Sequence, residues 1–275
     1  MKNKIRVIFG YLFSFVTVLL IVSFSLLLIF KYTVFKKSYI ENILVKNNYY
    51  TDVYNDIYSD MEDYMMSSGL PEDILKDIFS EKELKKDINT FLNNVYLGKK
   101  TVLDTNYIKE RLNKNIDDYL KSNNVEVTND TDLDSFVDEL IKIYNNQVCL
   151  YKTIDSFVGL VSKASNMLNK AIIICGISLI IVALITIILL KVKYIDSILI
   201  GSGIILLFIR FLIYEKIDVE NIIIVSNNFS KVLKSILIKI GNIIFNYAII
   251  FIIVGLLLTF IVYFTMKRRN MLEKK

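Results

Sequence analysis

At 275 residues, 54% hydrophobic and 22% charged, the chain is too apolar on average for an ordinary soluble domain, yet its charge content is near the globular norm. Both hold only if the two kinds of residue occupy different stretches, and four stretches, 7–30, 171–190, 197–214 and 243–266, are almost free of charge. A net charge of +5 without a single histidine excludes Ser-His-Asp and Cys-His catalysis, His-ligated zinc and His-based phosphorelay.

The first charge-poor stretch, 7–30, exceeds the roughly 20 residues that cross a hydrocarbon layer of about 30 Å. A cleaved signal peptide has an apolar core of about 7–15 residues and a small-residue cleavage site. Here the stretch ends Leu28-Ile29-Phe30-Lys31 with no such site, and it reads as a retained anchor.

Residues 31–170 read as a helical domain. Tyr50, Val53, Tyr54, Ile57, Tyr58, Met61, Tyr64 and Met65 recur at helical spacing, with Asp52, Asp56, Asp60 and Asp63 on another face. That carboxylate ridge is either a solvated face or a surface for cations or a basic partner. Ser67-Ser68-Gly69 ends this helix, and Pro71 opens a short one holding Ile74, Leu75, Ile78 and Phe79. Ser80 and Glu83 have the spacing of a capping box, in front of a stripe of Leu84, Ile88, Phe91, Leu92, Val95 and Tyr96 that Gly98 ends. A further helix over 106–122 turns Ile108, Leu112, Ile116, Tyr119 and Leu120 inward, and 123–130 is polar and loop-like.

The last helix of the domain starts near Thr131 or Asp132 and carries Leu133, Phe136, Val137, Leu140, Tyr144, Val148 and Tyr151, with a bend or break expected near 145–147. Asp130, Asp132 and Asp134 have the spacing that opens a calcium loop. Ser135 and Ile141 stand where an EF-hand needs Gly and Glu, so these carboxylates read as helix-start residues. Tyrosine-rich stripes suit a core with a wet rim, because a ring can bury while its hydroxyl stays solvated; a ligand or glycan surface is the alternative. Cys149 and Cys175 are separated by 26 residues, roughly 39 Å if helical, beyond disulfide reach.

The second and third stretches, 171–190 and 197–214, flank a tight turn holding Lys191 and Lys193. Within them stand scattered Ser and Thr and one charge, Arg210, which reads either as snorkelling to headgroups or as a charge inside a bundle. Gly176, Ala183, Gly201, Gly203 and Gly255 are small enough for close helix contact. Gly201-Ser202-Gly203 lies in an apolar span and lacks the context of a phosphate loop. In the loop 215–242, Phe229, Val232, Leu233, Ile236, Leu237 and Ile240 form one face, predicting an amphipathic helix flat on the membrane before the chain turns into 243–266. Packing on the helical domain is the rival for that loop.

Orientation follows from Lys and Arg near the spans. Lys2, Lys4, Arg6, Lys191, Lys193, Lys267, Arg268, Arg269, Lys274 and Lys275 fall on one side if both termini are cytoplasmic, against Asp196 and Glu273. Segment 31–170, with 18 basic and 23 acidic residues, then lies outside, as does 215–242. The sequence therefore predicts an all-α fold: four transmembrane helices with an extracytoplasmic helical bundle between the first and second.

Tyr49-Tyr50, Ser68-Gly-Leu-Pro71, Ile78 to Asn89 and Tyr96 resemble a family of uncharacterised multi-span membrane proteins of low-GC Gram-positive bacteria. The resemblance implies a bacterial envelope setting and carries no activity with it. In layout alone the chain is similar to FtsX- and MacB-type permease subunits, which couple a cytoplasmic ATPase to events outside the membrane.

No residue is singled out as catalytic, cofactor-binding or metal-binding, and no cofactor is expected. The expected partners are the lipid bilayer and a protein, lipid or wall component bound through 35–168, with no nucleic acid. The expected function is non-catalytic. A permease-like subunit and a membrane enzyme working with carboxylates alone are the alternatives.

Overall fold

The computed structural model describes residues 2–66, 68–124, 130–149, 155–190, 194–216 and 227–272. Among them the regular elements are all helical: α1 (Lys2–Tyr32), α2 (Lys37–Lys46), α3 (Tyr49–Met66), α4 (Glu81–Leu97), α5 (Asn106–Asn123), α6 (Asp130–Val148), α7 (Asp155–Leu190), α8 (Ile195–Lys216) and α9 (Asn227–Leu272), with a 3-10 turn at Glu72–Leu75. The chain divides into two compact units. One comprises α1, α7 from Ser165, α8 and α9 from Lys234; the other comprises α2 to α6, the start of α7 and residues 227–233 of α9.

In the first unit, α1, α7, α8 and α9 each contain a segment long and apolar enough to cross a membrane. Their core is small. Val22 and Ile29 of α1 meet Leu206 of α8 and Ile240, Ile244 and Ala248 of α9. Most of the remaining apolar surface points outward: Ile173, Ile174, Ile177, Ile180, Ile181, Leu184 and Ile188 along α7 are all exposed, Ile188 by 70%. In water each such side chain would forgo about 1.5–3 kcal/mol of burial. A face of this size suits contact with hydrocarbon, in keeping with continuous apolar stretches that show no helical alternation.

Small residues set the closest approaches. A Cβ on Gly203 would lie 2.7 Å from the Ala248 carbonyl oxygen, and one on Gly255 would lie 3.0 Å from that of Asp196, so α8 and α9 touch backbone to backbone. Gly201 faces Val18 at an ordinary 3.6 Å. At the end of α7, Arg6 donates from Nε to the Leu189 carbonyl at 3.1 Å and from Nη2 to that of Ile188 at 2.7 Å. These carbonyls have no partner within a helix, and a cation there also opposes the helix dipole.

In the second unit, α3 is central and packs against α2, α4, α6 and the 3-10 turn. Its stripe of Tyr50, Val53, Ile57, Met61 and Met65 is buried, as are Leu84, Ile88, Phe91 and Val95 of α4, Ile108, Leu112 and Ile116 of α5, and Val137, Leu140, Tyr144 and Val148 of α6. The ends follow from local chemistry. Ser80 and Glu83 form the reciprocal capping box of α4, and Gly98 closes that helix at φ 68°. Asn48 and Asn124, at φ 54° and 50°, turn the chain after α2 and α5, the left-handed region that Asn tolerates better than most residues.

Three local expectations need correction, and one helix gives little signal in the sequence. Helix α2 was not distinguished in the sequence, because ten residues with only Ile43 and Leu44 buried give little periodicity. After Pro71 the helical turn stops at Leu75. Asp77 takes φ 57°, and Ile78 and Phe79 are buried as part of a connecting segment, not of a helix. The break expected near 145–147 falls later: α6 continues to Val148, with the Cys149 N–H still donating to the Asn145 carbonyl. Finally, the loop helix does not end before a fourth span. Residues 227–272 form one unbroken helix, since no proline interrupts it and one glycine, Gly241, cannot stop a run so rich in helix formers. Of the preceding loop, 217–226 lies outside the described residues, as do 125–129, Leu150 and Tyr151.

Candidate functional site

The acidic face of α3 is the feature the sequence marked most clearly, and α9 and α6 partner much of it. Asp52 accepts from Lys231 Nζ at 3.1 Å. Asp56 accepts from Asn228 Nδ2 at 2.7 Å, and Asn228 is itself buried. Asp60 accepts from Gln147 Nε2 at 2.7 Å. Burial, then the charges of Asp60 and Asp52, push the Asp56 carboxyl up, while Lys231 pulls it back. These carboxylates therefore form a seam that seats the first two turns of α9 on the helical unit. Asp63 remains on the exposed surface.

A second set of polar groups lies at the edge of the core. Asp87 Oδ2 accepts from Tyr144 at 2.7 Å and from Tyr107 at 3.1 Å, and the two phenol oxygens are 3.2 Å apart. Burial raises both phenols, Tyr144 most of all, so neither ionises at neutral pH and each serves Asp87 as a donor. Phe79 packs edge-on against Tyr144 and stacks on Tyr58, with ring centroids 4.9 Å apart in each case. Glu83 receives both terminal nitrogens of Arg111, at 2.9 and 3.1 Å. That fork, with the Ser80 backbone and hydroxyl donors, holds the Glu83 carboxyl at about 2, well below the usual range.

Among the described residues, no group of three or more His, Cys, Asp or Glu side chains converges as a metal site. Asp134 is exposed, and the side chains of Asp130 and Asp132 lie outside the described residues. Cys149 and Cys175 are not joined in a disulfide; Cys149 packs near Phe91 and Val95.

Two concavities bear on function. A shallow one of about 370 Å³ at the end of α3 is lined by Met66, Leu70, Pro71, Glu72 and Asp73, with Met66 72% exposed. Another of about 230 Å³ lies among the spans, between α1, α7 and α8, lined by Ile21, Ala183, Ile187, Ile198 and Leu199 beside Thr17 and Thr186. The two threonine hydroxyls are 3.1 Å apart, and each also donates to the carbonyl four residues back. Two protons serve three contacts, so the interhelical bond and the helix bonds share them. Such intramembrane bonds contribute on average about 0.6 kcal/mol.

Arg210 was marked by the sequence as the only charge in its span. Its guanidinium carbon lies 4.5 Å from the Phe245 ring centroid and 5.1 Å from that of Tyr214. The aromatic partners sit one on α8 and one on α9, and sequence spacing alone could not have found Phe245.

Among the described residues the chain is thus all-helical, with four helices able to span a membrane, and it fits the class of integral membrane proteins. No family model, curated protein or solved structure matches it.

Proposed function

We propose that this is a non-catalytic bacterial cell-envelope protein that displays the helical unit outside the membrane, with both termini cytoplasmic, to bind a partner. The observation that carries this reading is the state of the carboxylates. Asp52, Asp56 and Asp60 are tied to Lys231, Asn228 and Gln147, Asp87 to two tyrosines, and Glu83 to Arg111. A general acid or base needs a proton position open to substrate, and these groups are spent on structure. At the end of α3 the unit presents exposed Met66 beside half-buried Leu70 and Pro71, adjoining exposed Glu72 and Asp73. An apolar patch with an acidic edge suits a protein segment with a basic flank. The distribution of Lys and Arg about the spans supports the orientation.

The test uses intact cells. A cysteine introduced at exposed Lys85 should react with a membrane-impermeant maleimide without lysis. A photo-crosslinking residue at Met66 should give a discrete adduct that one at exposed Glu110 does not. Labelling at Lys85 only after lysis would reverse the orientation. No adduct at either position, or equal adducts at both, would remove the binding surface.

One observation favours a second reading, in which the protein transmits a signal across the membrane as permease-like subunits do. Helix α9 is continuous over 46 residues, with its first turns belonging to the helical unit and the rest to the spans.

A further inference from the structure

We propose that Arg210 is a binding site for the phosphate of an anionic phospholipid, with the rings of Tyr214 and Phe245 holding the guanidinium ready. Arg210 is the only charged residue in 197–214, and among the described residues no carboxylate lies within ion-pair distance of it. Its Nε is sealed from solvent without a hydrogen-bond partner. A side chain that merely snorkels leaves its polar head in water. This one is lodged against two aromatic rings.

The rings are themselves held. The Tyr214 hydroxyl lies 3.5 Å from the Ile238 carbonyl, which it faces as donor. Its ring rests over Gly241, where a Cβ would come within 2.7 Å of Cε2, so a glycine at 241 is what lets the tyrosine lie across α9. Ring faces satisfy the cation's charge in part, but they accept none of the in-plane N–H bonds. A guanidinium carries five such donors in a fixed fork that matches two oxygens of one phosphate.

Depth selects the ligand. Arg210 stands four residues before Tyr214 at the end of the apolar stretch, about 6 Å along the helix axis, and its side chain can span that distance. The anion present in quantity at that level is the lipid phosphate. A zwitterionic headgroup brings its own cation to compete with the arginine, whereas an anionic one leaves a full charge to be matched. Nothing in this inference depends on what the helical unit binds.

The experiment takes the full-length protein in mild detergent. Retained lipid is read by native mass spectrometry, and thermal stability is titrated with phosphatidylglycerol, phosphatidylcholine or inorganic phosphate. Phosphatidylglycerol should remain bound and raise the midpoint, phosphatidylcholine should do so far less, and inorganic phosphate should have no effect. Arg210→Gln should weaken the phosphatidylglycerol response at least tenfold. Arg210→Lys should weaken it severalfold, because an ammonium is a point charge without the fork. Phe245→Leu, which keeps every polar group, should shift it in the same direction and serves if the arginine variants fail to fold. An undiminished response in Arg210→Gln, or equal protection by the two lipids, would overturn the site. A shift given by inorganic phosphate that also displaces the lipid would overturn the lipid as its source. Equal loss on neutralising Asp218 and Glu220 would instead identify an internal counter-ion and sink the proposal.

Discussion

Replacing Gly203 with alanine should weaken the packing of α8 on α9, and replacing Gly201 with alanine should not. The two glycines stand two residues apart on one helix, so the gain in helix propensity, about 1 kcal/mol for Gly→Ala, is common to both variants and cancels in their difference. What differs is the space. At Gly201 the new methyl meets a Val18 methyl at 3.6 Å, an ordinary contact. At Gly203 it meets Ile252 Cγ1 at 2.6 Å and the Ala248 carbonyl oxygen at 2.7 Å. The isoleucine can rotate away, but the carbonyl is fixed by the α9 backbone, so the helices must part by several tenths of an ångström. Overpacking of this kind costs about 1–3 kcal/mol, which is the expected deficit of Gly203→Ala relative to Gly201→Ala. Titration with a denaturing detergent in mixed micelles, followed by far-UV circular dichroism, measures it. If Gly203→Ala unfolds at the same detergent fraction as Gly201→Ala, the backbone contact between these helices is wrong.

Two further predictions concern the helical unit. Glu83 has its carboxyl lowered from 4.5 to about 2, so its contribution is fully present above about pH 4.5 and is lost as pH falls through about 2. The linkage maximum is ~3 kcal/mol. With side-chain exposures of 33% for Glu83 and 42% for Arg111, solvent screening reduces this to about 1 kcal/mol. Glu83→Gln should therefore unfold earlier at pH 7 and match the wild type near pH 2; a deficit that grows toward low pH would contradict the pairing. At the seam, Asn228→Ala strips Asp56 of a buried donor, costing about 1.5–3 kcal/mol, and should speed hydrogen exchange along α3. Asp56→Asn keeps an acceptor for Asn228 and relieves the repulsion from Asp52 and Asp60. Because the Asp56 carboxyl is raised, its ionisation opposes folding above that pKa. Asp56→Asn at pH 7 should hence exchange no faster than the wild type, and exchange as fast as in Asn228→Ala would refute the assignment.

Much of this architecture is legible from local chemistry. Four lipid-facing helices announce themselves because hydrocarbon tolerates no alternation, and the α3, α4, α5 and α6 stripes because one face of each is buried. Ser80, Glu83 and Gly98 mark the ends of α4 because capping groups must lie within a turn of the helix they close. What escaped was set by contacts distant in sequence. The α3 ridge looks like a solvated face until Asn228 and Lys231, some 170 residues away, are known to meet it. The same limit hides Asp87 between Tyr107 and Tyr144, and Phe245 beside Arg210. The amphipathic pattern of 229–240 predicts a helix flat on the membrane, but a hydrophobic stripe does not say whether lipid or protein covers it. Here Val232 is buried within the helical unit and Ile240 among the spans, so one stripe serves two cores along a helix that never breaks.

The two units handle charge by opposite means, and this bears on where a partner can act. In the helical unit, acidic residues outnumber basic ones, but Asp52, Asp56, Asp60, Glu83 and Asp87 are engaged in hydrogen bonds and ion pairs. They stabilise what is already folded and have little left for recognition. The exposed carboxylates of Asp63, Glu72 and Asp73 cluster in sequence about the end of α3, beside the apolar Met66, Leu70 and Pro71. In the spans the position is reversed: among the described residues Arg210 has aromatic faces beside it and no acid within ion-pair distance, the setting from which the lipid-phosphate site is proposed. A charge with protein on its faces and lipid at its edge ties helix packing to lipid composition, a dependence that no carboxylate of the helical unit would confer.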